Sequence, residues 1–287
     1  MRAIVLTPAA DYPDPWDWAY GIEARALEAA GFVVEPRAWT DPGDVAGADA
    51  VLPLVAWGYD QRVAEWHALL DRAEAEGWPM INAARLLRWN TDKAYLAELG
   101  AKGISVVPTR ECMALSQDDI EAAHDAFGSE LVIKPPVSAS AVGTHRVRQG
   151  DSLPTSALGQ RMLIQPFQKA IERAGEYSLM MFAGELGHAI VKRPKSGDFR
   201  VQPHLGGKDS VAEPPSGALE LAQSALAAAP ELPTYARVDM IETNEGGLAI
   251  MEIELIEPAL FLHQSADSAA LFGRAIAGAA KALRTKE

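Results

Sequence analysis

Tyr235-Ala-Arg-Val-Asp-Met-Ile-Glu-Thr-Asn-Glu-Gly-Gly-Leu-Ala-Ile-Met-Glu-Ile-Glu-Leu-Ile-Glu-Pro258 is the stretch whose reading decides the fold. Two apolar segments, Tyr235–Ile241 and Leu248–Leu255, flank Asn244-Glu245-Gly246-Gly247, which predicts a hairpin turn. If the turn centres between Glu245 and Gly246, Asp239 faces Glu252 and Arg237 faces Glu254. Side chains alternate along a strand, so these four residues share one face. Three carboxylates then lie together. Like charges opposite one another cost up to ~1 kcal/mol on a wet surface. The cost rises beside the apolar run Leu248–Met251, because burying a charge is expensive unless it is paired. A hard divalent cation such as Mg²⁺ offsets it and commonly also takes phosphate oxygens. The competing reading is a solvated polar face in which Arg237 pairs one acid.

Outward from the hairpin, the C-terminal part reads as strands at Tyr177–Phe182 and His188–Lys192, with helices at Ala218–Ala228 and Ala266–Leu283. Upstream, Leu131–Lys134, His145–Val147 and Met162–Gln165 read as short strands and Ser116–Ala126 as a helix capped by Ser116. Thr91–Leu99 reads as a helix with Asn90 or Thr91 at its N-cap, which places Lys93 in its first turns. At the N-terminus, strands at Ala3–Leu6, Phe32–Val34 and Ala50–Val55 alternate with helices at Ile22–Ala30 and Val63–Ala75. That alternation predicts a parallel, doubly wound unit over about the first 85 residues. All seven tryptophans lie at or before Trp89, a compositional break at the same place.

The chain has 287 residues, roughly two domain equivalents. With 26 basic and 39 acidic residues its net charge is −13, which argues against nucleic acid as a partner. A single cysteine, Cys112, rules out an internal disulfide and any cysteine-based metal cluster. No window approaches a membrane span. The N-terminal apolar run is broken by Pro8 and Asp11 before a signal peptide forms. The expectation is a soluble, cytoplasmic protein with no membrane partner. A homodimer is only the commonest oligomer, and nothing in the sequence selects it.

Several residues invite chemistry. Lys134 ends an apolar strand ahead of two prolines, where it points into an anion site or snorkels outward. The segment Val137 to Thr144 is small and hydroxyl-bearing, so its backbone N–H groups suit closure over phosphates. Gln165-Pro166-Phe167 follows a strand and offers backbone groups and an aromatic ring to a base. Arg193 and Arg200 flank a turn-rich loop, an arrangement suited to clamping carboxylate or phosphate. No P-loop, dinucleotide fingerprint, zinc-protease helix or serine elbow is present. The six histidines, His204 among them, are scattered and read as structural or surface residues.

Taken in order, Arg-Trp-Asn-Thr-Asp-Lys (88–93), Val-Ile-Lys-Pro (132–135), Leu-Ile-Gln-Pro (163–166), Gly-Glu-Tyr-Ser-Leu (175–179), Arg-Val-Asp (237–239) and Met-Glu-Ile-Glu-Leu-Ile-Glu-Pro (251–258) resemble the ATP-grasp enzymes. The resemblance is to the glutathione synthetase and RimK-like branch, and within it to the family of the D-cycloserine cyclo-ligase. It implies an α/β chain with α+β subdomains: a parallel α/β pre-ATP-grasp domain at 1–88, a central ATP-binding subdomain at 89–165 and a C-terminal subdomain with the metal site at 166–287. By the same resemblance Lys93 and Lys134 contact ATP phosphates, and Ser138, Ser140, Gly143 and Thr144 belong to the closing loop. Gln165, Pro166 and Phe167 border adenine, Glu176 or Glu172 serves ribose or the amino group, and Arg193 lies at the ATP site. Asp239, Glu252 and Glu254 hold Mg²⁺, with Mn²⁺ as the alternative ion, and Arg200 and Arg237 steady the transferred phosphate. Glu254 stands where the family commonly has Asn, so the second metal ligand departs from the pattern. Glu257, Trp57, Tyr59 and Asp60 are the substrate-pocket candidates. The implied activity is ATP-dependent C–N bond formation on a small amino-acid-like substrate through an acyl phosphate. Intramolecular cyclisation, a phosphotransferase and a non-catalytic nucleotide binder are the alternatives.

Overall fold

The structure is a computed structural model that describes residues 1–202 and 205–285. His204 therefore lies outside the described residues. β1 (Arg2–Thr7), α1 (Asp17–Ala29), β2 (Val33–Ala38), β3 (Ala50–Leu52) and α2 (Val63–Ala75) form a parallel sheet in the order β2-β1-β3 with its helices. The apolar run of β1 makes it the central strand: Ala3, Ile4, Val5 and Leu6 are all fully buried. The third strand ends at Leu52 rather than Val55, because Pro53 has no N–H to continue the ladder. The first helix starts at Asp17, five residues before the predicted Ile22; exposed Trp18 hid its first turn from a search for periodicity.

The predicted helix from Thr91 to Leu99 is two helices. α3 (Ala84–Thr91) ends where the prediction begins, Asp92 is extended, and α4 (Tyr95–Ala101) follows. Lys93 thus sits in a kinked junction, not in the first turns of a helix, and its N–H donates to the Pro136 carbonyl at 2.8 Å. Asn90 is not a cap. Its side-chain amide donates to Ile253 O at 2.7 Å and accepts from Leu255 N at 2.9 Å.

A second sheet is antiparallel, in the order β4-β7-β5-β6, from β4 (Arg110–Cys112), β5 (Glu130–Lys134), β6 (His145–Arg148) and β7 (Met162–Pro166). Helix α5 (Gln117–Phe127) packs on it behind the capping box that Ser116 forms with Asp119. A third sheet, also antiparallel, has the order β10-β9-β8-β11-β12. Its strands are β8 (Glu176–Phe182), β9 (Glu185–Arg193), β10 (Lys208–Val211), β11 (Tyr235–Glu242) and β12 (Leu248–Glu254). Strand β10 has no counterpart in the sequence reading; all four of its residues are exposed, so it carries no burial period.

Helix α6 (Ala218–Ala227) covers one face of the third sheet, and α7 (Ala266–Arg284) runs back against α1. Leu27 of α1, Met180 and Phe182 of β8, Tyr235 of β11, and Phe272 and Ile276 of α7 share one apolar cluster and are fully buried. At roughly 2 kcal/mol per buried large side chain, this cluster fixes the N-terminal sheet against the third sheet. Among the described residues, no helix is long and apolar enough to cross a membrane.

Strand β12 is an edge, and at its C-terminal end three side chains occupy the free backbone groups of Ile253 and Leu255. Asn90 takes Ile253 and Leu255, the Tyr95 hydroxyl both donates to Ile253 O (2.9 Å) and accepts from Ile253 N (2.7 Å), and Asn82 donates to Leu255 O (3.1 Å). These buried bonds satisfy groups that would otherwise be costly to desolvate. They also hold the alternating Glu252 and Glu254 to one face.

Candidate active site

The hairpin delivers the expected cross-strand pairs by an unexpected route. Asp239 faces Glu252 and Arg237 faces Glu254, but near the turn Met240 faces Ile250 rather than Met251. The turn lies off the predicted centre and a bulge at Met251 compensates. A one-residue slip moves every side chain to the other face, so this bulge is what brings Glu252 and Glu254 to the side of Asp239.

Each acid is held by a cation. Arg237 donates to both oxygens of Asp239 at 2.9–3.1 Å and also pairs with Glu254. Asp239 additionally accepts from the Ser178 hydroxyl at 2.5 Å and from Lys192 at 3.3 Å. Lys192 donates to Glu176 at 2.8 Å. Lys93 pairs with Glu252 at 3.1 Å and donates to the Ser138 carbonyl at 2.5 Å. Burial opposes the charge on Asp239, but Arg237 and Lys192 outweigh it and hold the carboxyl well below the usual range. Burial, with Glu252 and Asp239 adding to it, pushes Glu254 up to about 7 in spite of Arg237. Burial also raises Glu257 well above the ordinary value, with Glu254 and Asp60 contributing.

The three proposed metal ligands are therefore neighbours on one face, yet no trio of acidic, histidine or cysteine side chains among the described residues stands ready as a chelate. Their chemistry fits a hard divalent ion: all donors are carboxylate oxygens.

Lys134 lies beside this acid wall at 7% exposure. Among the described residues its amine has no hydrogen bond or ion pair. Burial, and then Lys93, lower its pKa, while Glu252 and Glu176 oppose that shift. The small loop next to it places Ser140 and Ala141 at φ 53° and 58°, a left-handed pair in non-glycine residues. Its Ala139 N–H donates to Asp60 at 3.2 Å, so the loop touches the N-terminal unit. Ser140 is exposed, and Gly143 packs under Pro135. Thr144 lines a cavity of about 460 Å³ with His145, Arg146, Phe199 and Arg200.

The hinge differs in detail from expectation. The Gln165 side chain turns inward to the Thr109 hydroxyl (2.8 Å), and Pro166 continues the ladder opposite Leu131. Phe167 is buried, with the Arg146 guanidinium 3.6 Å above its ring and Phe199 edge-on at 5.7 Å. Glu176 points into the acid network, whereas Glu172 pairs outside with Arg146. Arg193 is exposed at the strand end, so it is not among the residues gathered here; Lys192, overlooked in the sequence, takes the inward position. Arg200 is paired with Asp198 at 2.9 Å in the cavity wall, in a different contact set from Arg237.

On the N-terminal side Trp57 stands 6.1 Å from Tyr12 and 5.9 Å from Trp18. Tyr59 is buried against Trp66. Glu257 is half-buried and, among the described residues, has no ion-pair partner; its charge reaches Tyr12, Tyr59 and Lys93.

The chain as a whole is similar to known proteins. Residues 4–82 match the family described as D-cycloserine synthetase DcsG, N-terminal domain. The cycloserine biosynthesis protein DcsG of Streptomyces lavendulae is 30% identical over 297 aligned residues, covering 95% of this chain and 97% of that protein. The crystal structure of D-cycloserine synthetase DcsG superposes with a TM-score of 0.83 at 27% identity, over 99% of this chain and 100% of that one. D-alanine–D-alanine ligase from Bacillus anthracis complexed with ATP shares the fold, with a TM-score of 0.72 at 19% identity over 99% and 98% of the two chains. With near-complete coverage on both sides, the chain belongs to the DcsG family of ATP-grasp ligases and is an ATP-dependent ligase.

Proposed function

We propose that this ligase uses ATP and a divalent cation, Mg²⁺ or Mn²⁺, to activate a carboxylate or comparable oxygen of a small amino-acid-like substrate. The substrate oxygen attacks the γ-phosphorus, the bond to the β–γ bridging oxygen breaks, and ADP leaves an acyl phosphate. An amine then attacks the acyl carbon, phosphate departs, and a C–N bond forms. Lys134 is the observation that carries the reading: a buried ammonium with no hydrogen bond or ion pair among the described residues, only the more distant charges of Glu252 and Glu176, is costly unless an anion arrives.

In this reading Lys93 and Lys134 receive the phosphates, and Lys93 leaves Glu252 to do so. Residues 138–144 close over them and exclude water, which protects the acyl phosphate from hydrolysis. Gln165 to Phe167 and Glu176 border the nucleoside. Asp239, Glu252 and Glu254 would hold the ion, which when bound neutralises phosphate charge. Arg237 and Arg200 steady the transferred phosphoryl group by electrostatics, which supplies most of the acceleration in such transfers. Glu257, Asp60, Tyr59 and Trp57 wall the substrate, the two acids facing its amine. The units 1–88, 89–165 and 166–287 are the domains of this scheme.

A second reading, ring closure within one substrate, draws support from the whole-length likeness to a cycloserine biosynthesis protein. ADP release with a panel of amino acids and dipeptides, followed by product mass, separates the two. A cyclic product forms from one substrate and a ligated product needs two. Glu252→Gln is expected to abolish ADP release with the melting temperature held within a few degrees. An unaltered rate would remove Glu252 from the site, and ATP binding without turnover on any panel member would weaken the ligase reading of the chemistry.

A further inference from the structure

The turn of the acid hairpin contains an asparagine that the turn does not need. Thr243 N–H donates to Gly247 O, Gly246 N–H donates to Thr243 O, and the Thr243 hydroxyl closes on Gly246 O. Gly246 and Gly247 carry the positive φ angles, 88° and 87°. Asn is usually favoured in turns for tolerating positive φ or for bonding its own backbone. Asn244 does neither, and its side chain leaves the hairpin altogether. Its amide Nδ2 donates to Phe167 O at 2.8 Å, its Oδ1 accepts from Lys169 N at 2.9 Å, and its own N–H donates to the Gln168 side-chain oxygen at 2.9 Å.

A primary amide offers the donor and acceptor pair of a peptide unit. Asn244 therefore docks on the hinge as a strand residue would, gripping the backbone on both sides of Gln168. Glu242 adds an exposed ion pair to Arg173 of the same segment, at 3.3 Å. One hairpin thus presents acids at one end and clasps the hinge at the other.

We infer that Asn244 is a positioning residue for the base of the nucleotide: its clasp fixes the Phe167–Lys169 backbone in the orientation a purine requires. The inference rests on the nucleotide reading given above. A backbone fixed before binding loses little freedom on binding, and that difference appears as affinity. Asn244 is exposed and its contacts are to loops, so replacing it leaves the strands intact.

The test is calorimetric titration of wild type and N244A with two probes, ADP and inorganic tripolyphosphate, the second lacking a base. ADP affinity is expected to fall about tenfold in N244A and tripolyphosphate affinity to stay within twofold. In turnover, KM for ATP is expected to rise about tenfold with kcat within twofold. N244D, which keeps the acceptor for Lys169 N–H but loses the donor to Phe167 O, is expected to bind ADP no better than N244A. An ADP affinity unchanged in N244A, or an equal loss for both probes, overturns the inference. A wild type that binds neither probe overturns the nucleotide reading itself and takes this inference with it.

Discussion

Arg237 is the residue whose removal most directly tests the buried acid network. Its guanidinium makes three contacts of 2.9–3.1 Å with Asp239 and pairs with Glu254, at 8% exposure. Truncating one partner of a buried ion pair leaves the other charge uncompensated and costs about 3–5 kcal/mol. Asp239 keeps Lys192 and Ser178, so Arg237→Met belongs at the low end, about 3 kcal/mol. For 287 residues the entropy of unfolding is roughly 0.6 kcal/mol per kelvin, so the melting temperature in metal-free buffer is expected to fall by about 5 °C. Two features separate this mechanism from simple loss of packing. If Mg²⁺ binds these acids as proposed, it replaces the missing charge, so its stabilising effect should be larger in Arg237→Met than in wild type. Adding Glu254→Gln removes one stranded charge, so the double variant should regain about half of the loss. The assay is thermal unfolding in chelator and in millimolar Mg²⁺. A variant that melts within 1 °C of wild type in chelator, or a double variant less stable than the single one, refutes the reasoning.

Two further perturbations probe the scaffold. Glu23 on α1 is 6% exposed, one of its oxygens has no partner among the described residues, and burial pushes its carboxyl to about 8. The folded state then binds a proton that the unfolded state releases near pH 4.5, so stability drains away as pH rises from about 4.5 to 8. Glu23→Gln should remove up to about 3 kcal/mol of that decline between pH 5 and 8, read by urea unfolding; parallel pH curves for the two proteins would count against it. Gly175 combines φ +83° with a position whose added Cβ would stand 2.4 Å from the Lys192 carbonyl. Gly175→Ala should cost upwards of about 2 kcal/mol and depress ADP release, because the clash moves the strand that carries Lys192. Gly184→Ala, at φ +84° with its nearest atom at 3.9 Å, should cost only about 1 kcal/mol and leave ADP release unchanged. Equal effects at the two sites would rule out the clash.

The alternation of apolar segments with Gly and Pro made most elements legible, and the second helix is predicted to the residue at Val63–Ala75. The stretch from Asn82 to Lys93 was not legible, because its polar residues serve long-range partners. Asn90 sits in the last turn of a helix and bonds β12, 163 and 165 residues away in sequence. By local chemistry an asparagine before Thr-Asp is a helix cap. Only the edge of a sheet that forms much later in the chain reveals its other use. The hairpin shows the complementary case: a displaced turn and a bulge at Met251 cancel, so the pairs Asp239–Glu252 and Arg237–Glu254 emerge from a local picture wrong in two places. Selection acts on which side chains meet, and more than one backbone path satisfies that requirement.

The acids of the site were readable and their cations largely were not, for one physical reason. Three carboxylates on one strand pair announce themselves by spacing, because period-two alternation is local. Lys192 follows three buried residues, Ala189, Ile190 and Val191, so alternation gives no hint that it points inward and Arg193 outward. Its assignment comes from register: Lys192 lies opposite Glu176 across β8 and β9, and β11 then brings Asp239 within 3.3 Å. The same cations explain why the acids do not stand as an open chelate. Asp239 and Glu176, at 3% and 7% exposure, and the half-buried Glu252 and Glu254 need counter-charges as soon as the chain folds, and Arg237, Lys192 and Lys93 supply them. On the proposed reading, metal and phosphate exchange partners with a network whose acids are already paired with cations. If, as proposed, Lys93 gains phosphate when Glu252 gains the ion, net charge at the site changes little and neither ligand has to meet a bare buried charge. Such an exchange requires both to arrive together, which makes nucleotide affinity at the site depend on the divalent ion and ion affinity depend equally on nucleotide.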